Sequence, residues 1–326
     1  LKKQIIIIGA GPAGIAAAVQ AGLFGLNAAV MDHNDPGGLI ECAHFVKNFP
    51  GYPEGIKGRD LSVLMAKHFV NSKIEFLKTH VESIDKSNGV FSVRTDSGVY
   101  ESEYVVLASG TRPDMLPENI KLCGFAELMP PGCGAGDAHV SRVVRNMPGY
   151  SRFTSKRVHN DIRSLSRNLN PKETSRVIVL GSGDLAVDYS LTLMDRGVRP
   201  AIVSRTARLK ASSHLAEAAA GRRIDITFDF ITEKIEAYRQ GIILSGGSTS
   251  LSGDYLLISI GRVPAIDFLS EKLYKSVASS SGVPGFFLAG DVRQGIFRQT
   301  AIAAGDGIKA IMKIARRLET GNGAIL

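Results

Sequence analysis

The stretch Gln4-Ile5-Ile6-Ile7-Ile8-Gly9-Ala10-Gly11-Pro12-Ala13-Gly14 decides how the rest of the chain is read. Four β-branched apolar residues in a row predict a strand buried on both faces of a parallel sheet. Glycines at 9, 11 and 14 predict a tight turn into a helix over Ile15 to Leu23, the G-x-G-x-x-G pattern in a strand–turn–helix setting. Gly9 permits the turn, Gly11 lets backbone approach a diphosphate, and Gly14 lets helix and strand pack closely. The helix start offers unpaired N–H groups to the anion. A second strand, Ala28 to Met31, ends at Asp32, eighteen residues after Gly14, where a carboxylate can accept bonds from ribose hydroxyls. The constellation predicts a dinucleotide site.

A second copy opens with the strand Arg176 to Leu180 and continues as Gly181-Ser182-Gly183-Asp184-Leu185-Ala186, with alanine in the third glycine position. A helix to Arg196 and a strand over Ala201 to Val203 complete it. Eighteen residues beyond Ala186 stands Ser204 rather than an acid, followed by Arg205, Arg208 and Lys210. This pattern favours a ribose carrying a 2′-phosphate, hence NADPH over NADH; the alternative is an ordinary solvated loop. An acid-tipped and a base-tipped unit in one chain read as a flavoprotein, with FAD on the first and a nicotinamide nucleotide, or even a second flavin, on the second.

Between the motifs, a helix is expected from about Gly58 to Val70. A hairpin is expected from Val81–Ile84 and Val90–Thr95, turning at Asn88-Gly89. Three more buried strands stop in small residues where a ligand could lie close: Tyr104–Ala108 before Ser109-Gly110, Tyr255–Ile260 before Gly261, and Phe286–Ala289 before Gly290-Asp291. A helix over Ala301–Leu318 could aim its start at the flavin.

Composition narrows the class. At 326 residues, 44% hydrophobic and 21% charged, the chain suggests two globular domains. No apolar run reaches the roughly eighteen residues of a membrane helix. A strand beginning at residue 5 leaves no room for a signal peptide, and three scattered cysteines make neither a disulfide scaffold nor a zinc site, so a cytoplasmic protein without metal is expected. The net charge of +8 is local: Ala138–Arg176 carries nine Lys or Arg against two acids. A nucleic-acid binder is therefore not expected.

At these residues the chain resembles the low-molecular-weight thioredoxin reductase family of FAD-dependent pyridine-nucleotide oxidoreductases. Gly9–Gly14 is similar to the opening of that family's FAD domain, and Gly37-Gly38-Leu39 resembles its Gly-Gly-Gln-Leu loop. Asn48-Phe49-Pro50-Gly51, Ala108-Ser109-Gly110, Ala289-Gly290-Asp291-Val292 and Arg298-Gln299-Thr300 match further family segments. The resemblance implies two Rossmann-like, three-layer β/β/α nucleotide-binding domains. The FAD domain would comprise 1–117 and 248–326, and the NAD(P)H domain 118–247. It implies FAD contacts from Gly9, Gly11, Pro12, Ala13, Gly14, Asp32, Gly38, Leu39, Asn48, Val81, Ala108, Ser109, Gly110, Gly290, Asp291, Arg298, Gln299 and Thr300. For the nicotinamide nucleotide it implies Gly181, Gly183, Asp184, Leu185, Ser204, Arg205, Arg208, Lys210 and Gly261. It also implies a homodimer whose nucleotide domain rotates between hydride delivery and dithiol exchange.

The redox centre departs from the family. Its members carry Cys-Ala-Thr-Cys-Asp about fifteen residues before the second nucleotide strand, and this chain has no C-x-x-C. The nearest match is Cys133-Gly134-Ala135-Gly136-Asp137, with one cysteine and the acid. Cys133 could pair with Cys123, act alone, or be an inert remnant; Cys42 reads as structural. From Asp137 to Arg176 roughly forty residues intervene, a basic insertion that is either a solvated excursion or a docking surface for an acidic partner such as ferredoxin. The expectation is an FAD-dependent NAD(P)H oxidoreductase that works without the family dithiol, a ferredoxin–NADP reductase being its most concrete form. The alternatives are a divergent thioredoxin or disulfide reductase using Cys133 with Cys123 or with a cysteine of a thioredoxin-like partner, and a flavin- or nucleotide-binding module with little turnover.

Overall fold

The computed structural model describes residues 2–123, 157–174, 176–238, 241–278 and 282–320. In chain order the elements are β1 (Lys2–Ile8), α1 (Pro12–Leu23), β2 (Ala28–Asp32), α2 (Gly58–Asn71), β3 (Glu75–Lys78), β4 (Val81–Ser87), β5 (Val90–Thr95), β6 (Gly98–Leu107) and β7 (Thr111–Pro113). Then come β8 (Lys121–Cys123), β9 (Val158–His159), α3 (Ile162–Asn168), β10 (Arg176–Leu180), α4 (Asp184–Asp195), β11 (Arg199–Val203), α5 (Ser213–Gly221), β12 (Asp225–Thr227), β13 (Lys234–Tyr238), β14 (Gly241–Gly246) and β15 (Thr249–Gly253). The chain closes with β16 (Tyr255–Ile258), β17 (Arg262–Pro264), α6 (Glu271–Ala278), β18 (Phe286–Leu288) and α7 (Thr300–Thr320).

Two compact units result, Leu1–Thr111 with Pro264–Leu326, and Arg112–Val263. The expected boundaries at 117 and 248 are thus shifted, the second by sixteen residues. The reason is pairing: β15 joins β14 and β16 joins β10, so both strands belong to the second unit.

In the first unit the sheet runs β3-β2-β1-β6-β5-β4, with β18 also on β6. The isoleucine run is buried on both faces, as its composition predicts. Ile5 and Ile7 pack with α1 and α7 through Ala13, Ala17 and Ile311, while Ile6 and Ile8 pack with Val81, Phe91 and Leu273 on the other face. Asn88 and Gly89 take positive φ (50° and 83°), which lets the β4–β5 hairpin turn tightly. Helices on one face and the β4–β5 arm on the other make this unit three-layered.

The second unit repeats the scheme with a fully parallel sheet, β12-β11-β10-β16-β9. A second sheet, β15-β14-β13-β8, covers one face; Ile178, Leu180 and Ile258 pack there against Ile235, Ile242 and Leu244. The second half of the expected basic insertion is built into this unit. Val158 lies at 0% exposure in an edge strand, and Ile162 and Leu165 are the buried side of α3, which ends one residue short of Leu169. Asp161 caps α3 by accepting the Ser164 N–H at 2.8 Å, a contact typically worth about 0.5–2 kcal/mol. The first half, with Cys133 and Asp137, lies outside the described residues.

The crossing of α1 and α7 is the tightest helix contact of the first unit: a Cβ on Gly307 would lie 2.0 Å from the Ala13 carbonyl oxygen. Beside it Ile311 is fully buried. Ile311→Ala is expected to cost about 2–5 kcal/mol of unfolding free energy, measured by denaturant titration. Gly307→Ala is expected to destabilise by about 1–3 kcal/mol, because the neighbour is backbone and cannot rotate away.

Candidate dinucleotide sites at two β–α turns

In each unit the ligand-facing edge lies at the C-terminal ends of parallel strands, where neighbouring connections leave in opposite directions. β1 sits between β2 and β6, and β10 between β11 and β16.

At the first turn Gly9 takes φ +104°, and a Cβ there would stand 2.3 Å from the Ala108 oxygen. A Cβ on Gly14 would stand 1.8 Å from the Gly9 oxygen, so strand and helix meet backbone to backbone. No side chain caps α1, whose first residue is Pro12, and its remaining N–H groups are available to an anion. Gly38, at φ +73°, presses on the turn from above; a Cβ would lie 2.6 Å from the Gly11 Cα. Asp32 Oδ2 accepts the Ala10 N–H at 2.8 Å and Oδ1 accepts the Asn34 N–H at 2.8 Å. The carboxylate is thereby oriented with accepting capacity to spare for ribose hydroxyls.

The rim of this site is held by contacts the sequence did not reveal. Thr79 N–H donates to the Asp32 carbonyl, and the Thr79 hydroxyl donates to Asp96. That hydrogen bond, with the His80 N–H, holds the Asp96 carboxyl below its usual range. His80 packs edge-on against His33, whose Nδ1 is 3.4 Å from Asp32. On the other side, Asn48 Nδ2 donates to Gln299 Oε1 at 2.7 Å, and the Gly290 N–H donates to Asp306 at 3.1 Å. A Cβ on Gly290 would meet that of Ala13 at 2.8 Å and that of Ala303 at 3.2 Å, so the Gly290-Asp291 bend, α1 and the first turn of α7, which begins at Thr300, come together.

Leu39 lies in the short turn helix that starts at Gly38, Arg298 is half-buried just before α7, and Gly110 follows Ser109. Two expected ligand residues look inward instead. The Val81 side chain belongs to the apolar cluster with Met31, and the Ser109 hydroxyl donates to the Ala265 carbonyl at 2.7 Å. At both, the main chain is what remains for a ligand.

The second turn has the same build. Gly181 takes φ +140°, with its missing Cβ 2.0 Å from the Ser259 oxygen, and no side chain caps α4 at Gly183. Strand register makes Ser204 the counterpart of Asp32, since Met31 pairs with Ile8 and Val203 with Leu180. Ser204 is fully buried, however, and its hydroxyl donates to the Thr206 carbonyl at 2.9 Å. It shapes the loop rather than facing a ribose. Arg205, Arg208 and Lys210 are the exposed cations of that loop. The loop folds back on the turn, for the Lys210 N–H donates to the Ser182 carbonyl at 2.7 Å and the Ser212 N–H to Asp184 at 2.6 Å. Leu185 is half-buried in the first turn of α4, and the Gly261 carbonyl accepts the Asp114 N–H at 3.0 Å.

Sequence reasoning passed over Ser259, which is 7% exposed with a hydroxyl that meets no hydrogen-bond partner. Setting Ser259-Ile260-Gly261 beside Ala108-Ser109-Gly110 would have found it. Cys42 is buried, and Cys123 is a half-buried free thiol at the end of β8. Among the described residues no His, Cys, Asp and Glu group could hold a metal ion, and no helix is long and apolar enough to cross a membrane.

The residues at both turns fit a dinucleotide: uncapped helix starts, glycines where a Cβ would fill the cradle, and an acid or cations at the ribose end. Residues 3–307 match the family model described as pyridine nucleotide-disulphide oxidoreductase. A thioredoxin reductase of Coxiella burnetii is 24% identical over 98% of this chain and 98% of its own length. The NADPH-dependent thioredoxin reductase 3 of Arabidopsis thaliana is 26% identical over 98% of this chain and 59% of its own. The thioredoxin reductase structure from Lactococcus lactis, in its FR conformation, superimposes with a TM-score of 0.76 at 22% identity, covering 98% of this chain and all of that one. Matched over residues 3–307, the chain belongs to the pyridine nucleotide-disulphide oxidoreductase family and is an FAD-dependent NAD(P)H oxidoreductase.

Proposed function

We propose that this chain carries electrons from NADPH through FAD to a protein acceptor without a dithiol of its own, in the manner of a ferredoxin–NADP reductase. FAD would be held at the first turn by Asp32, the α1 start and the Gly290-Asp291 bend, and NADPH at the second by the α4 start and the Arg205–Lys210 loop. The flavin, when bound, supplies the hydride and single-electron chemistry. The protein's part is to orient the two nucleotides, shield them from water and neutralise phosphate charge. Arg205, Arg208 and Lys210 are the groups suited to a 2′-phosphate, and a similar plant protein is named NADPH-dependent. The working form is read as a cytoplasmic homodimer.

The observation that carries the dithiol-free reading is the absence of any C-x-x-C ahead of β10. Cys133, the nearest match to the redox pair, lies roughly forty residues ahead of that strand, whereas the family spacing is about fifteen. At that distance stand Asp161-Ile162-Arg163-Ser164, with a carboxylate and a hydroxyl three positions apart. Both are engaged in the cap: Ser164 N–H donates to Asp161 Oδ1, and the Ser164 hydroxyl donates to the Asp161 carbonyl at 3.0 Å, with His159 Nδ1 3.1 Å from it. Neither group can take up an electron pair by opening a sulfur–sulfur bond.

An acidic redox protein, ferredoxin or a thioredoxin-like carrier, suits the exposed Arg167 and Lys172 of this region. Other cations of the same segment are used internally, Arg157 on the Asp254 carbonyl and Arg176 on Asp225 at 2.7 Å.

Three outcomes are expected. Anaerobic mixing with NADPH bleaches the flavin, and NADH does so with an affinity at least tenfold lower; a flavin left oxidised by both would remove the reductase reading. Arg205→Ala and Arg208→Ala each raise the NADPH KM about tenfold while leaving flavin content unchanged. Reaction with a thiol reagent gives the same count before and after NADPH in the wild type. The Asp161→Cys/Ser164→Cys variant gains two thiols per chain on reduction, as NADPH and one proton convert its disulfide to a dithiol. A gain of two thiols in the wild type would show that a native thiol pair carries the electrons, and loss of turnover in Cys133→Ser that this thiol takes part.

A further inference from the structure

In each unit the loop that follows the second strand returns to the glycine turn, and the two loops are fastened there differently. In the first unit the loop after Asp32 comes back through Gly37, whose N–H donates to the Ala10 carbonyl at 2.8 Å. In the second the Lys210 N–H donates to the Ser182 carbonyl at 2.7 Å, the same place between the first two glycines. Beyond this shared bond, glycine seats the first loop. Gly38, at φ +73°, lies against Gly11, and the missing Cβ of Gly37 is 2.2 Å from the Ser62 hydroxyl.

The loop over 204–212 contains no glycine to seat in that way. It closes on itself instead, the Ser204 hydroxyl donating to the Thr206 carbonyl and the Thr206 hydroxyl to the Arg208 carbonyl, each at 2.9 Å. Its far end is held by Asp184, the first residue of α4, whose Oδ1 accepts the Ser212 N–H at 2.6 Å. The counterpart of Asp184 in the first unit is Pro12, which has no side-chain acceptor. Asp184 is expected from the resemblance to touch the nucleotide, yet a carboxylate has no proton to donate to a phosphate and repels its charge. Arg205 and Arg208 thus sit on an arch pinned at Ser204, whose carbonyl accepts the Phe230 N–H at 3.0 Å, and at its other end by Ser182 and Asp184.

We propose that Asp184 is a positioning residue for nucleotide specificity: by latching Ser212 it holds Arg205 and Arg208 in place for a 2′-phosphate, and the preference for NADPH depends on that latch. The proposal rests on the reading of the Arg205–Lys210 loop as the 2′-phosphate site. Without the latch the far end of the loop keeps only the Lys210 bond. Its cations then spread over more positions and must be ordered again when the phosphate binds, which weakens that one contact and leaves the rest of the nucleotide site as it is.

The test is equilibrium binding of two probes to the FAD-loaded chain: 2′-phospho-ADP-ribose, and ADP-ribose, which lacks the 2′-phosphate. The wild type is expected to prefer the first by about tenfold. Asp184→Ala is expected to weaken the first about fivefold and the second by less than about twofold. Asp184→Asn keeps an oxygen that accepts the Ser212 N–H and is expected to retain the wild-type preference. Ser212→Pro breaks the same bond from the donor side; φ −57° suits proline, and Ser212 makes no side-chain cap to lose. It is expected to follow Asp184→Ala, and the double variant to be no worse than either alone. Flavin bound per chain, held at the other turn, serves as the folding control and stays constant. Unchanged preference in Asp184→Ala or in Ser212→Pro overturns the proposal. So does an equal loss for both probes, which would mark a purely structural role, or an Asn variant as weak as Ala, which would assign the effect to charge. A wild type that binds both probes equally sinks the 2′-phosphate reading of the loop, and the proposal with it.

Discussion

Direct approach of backbone to backbone at the two β–α turns is the constraint on which the rest depends. At Gly9, Gly14 and Gly181 the space a side chain would need is taken by a carbonyl oxygen at 1.8 to 2.3 Å. Only glycine lets the strand end, the helix start and the neighbouring strand occupy so little room. That compactness lets main-chain N–H groups serve as the anion-binding surface. Both units repeat it, each at the strand where the sheet's connections diverge, so the fold contains two cradles with the same wall.

What differs between the cradles is chemistry at matched positions. The first ends in Asp32, oriented by two N–H groups, with an all-methyl wall at Ala10 and Ala108. The second replaces the acid with a buried serine that only folds the loop, surrounds it with exposed cations, and puts hydroxyls at 182 and 259. An acid suits two ribose hydroxyls; cations suit an added phosphate. On the proposed reading, one backbone device serves two ligands through a few side chains at the edge of each sheet.

The segment ahead of β10 shows the same economy turned the other way. Asp161 and Ser164 are tied up in starting α3, and α3 and β9 bury Ile162, Leu165 and Val158 as part of the second unit's core. Basic residues that look in sequence like a charged excursion are partly structural, Arg157 bonding a strand carbonyl and lying over the Tyr255 ring. Charge counting could not separate those from the exposed Arg167 and Lys172, because it carries no information about partners distant in the chain.

Sequence alone determined the elements whose signal is local. The isoleucine run, the glycine spacing, the Asn88-Gly89 hairpin and the Ala-rich helices are each read from neighbours within about twenty residues, and their chemistry points to two dinucleotides. The tertiary structure decided what depends on residues far apart. It moved the return to the first unit to Pro264 because β15 and β16 pair backwards onto β14 and β10. It tied the Ser204 and Ser109 hydroxyls to main-chain carbonyls, packed the Val81 side chain into the core, and enclosed the Ser259 hydroxyl. Spacing along a chain records which backbone shapes are permitted. Which side chains are left facing a ligand depends on what packs over them, and that is set only when distant strands meet.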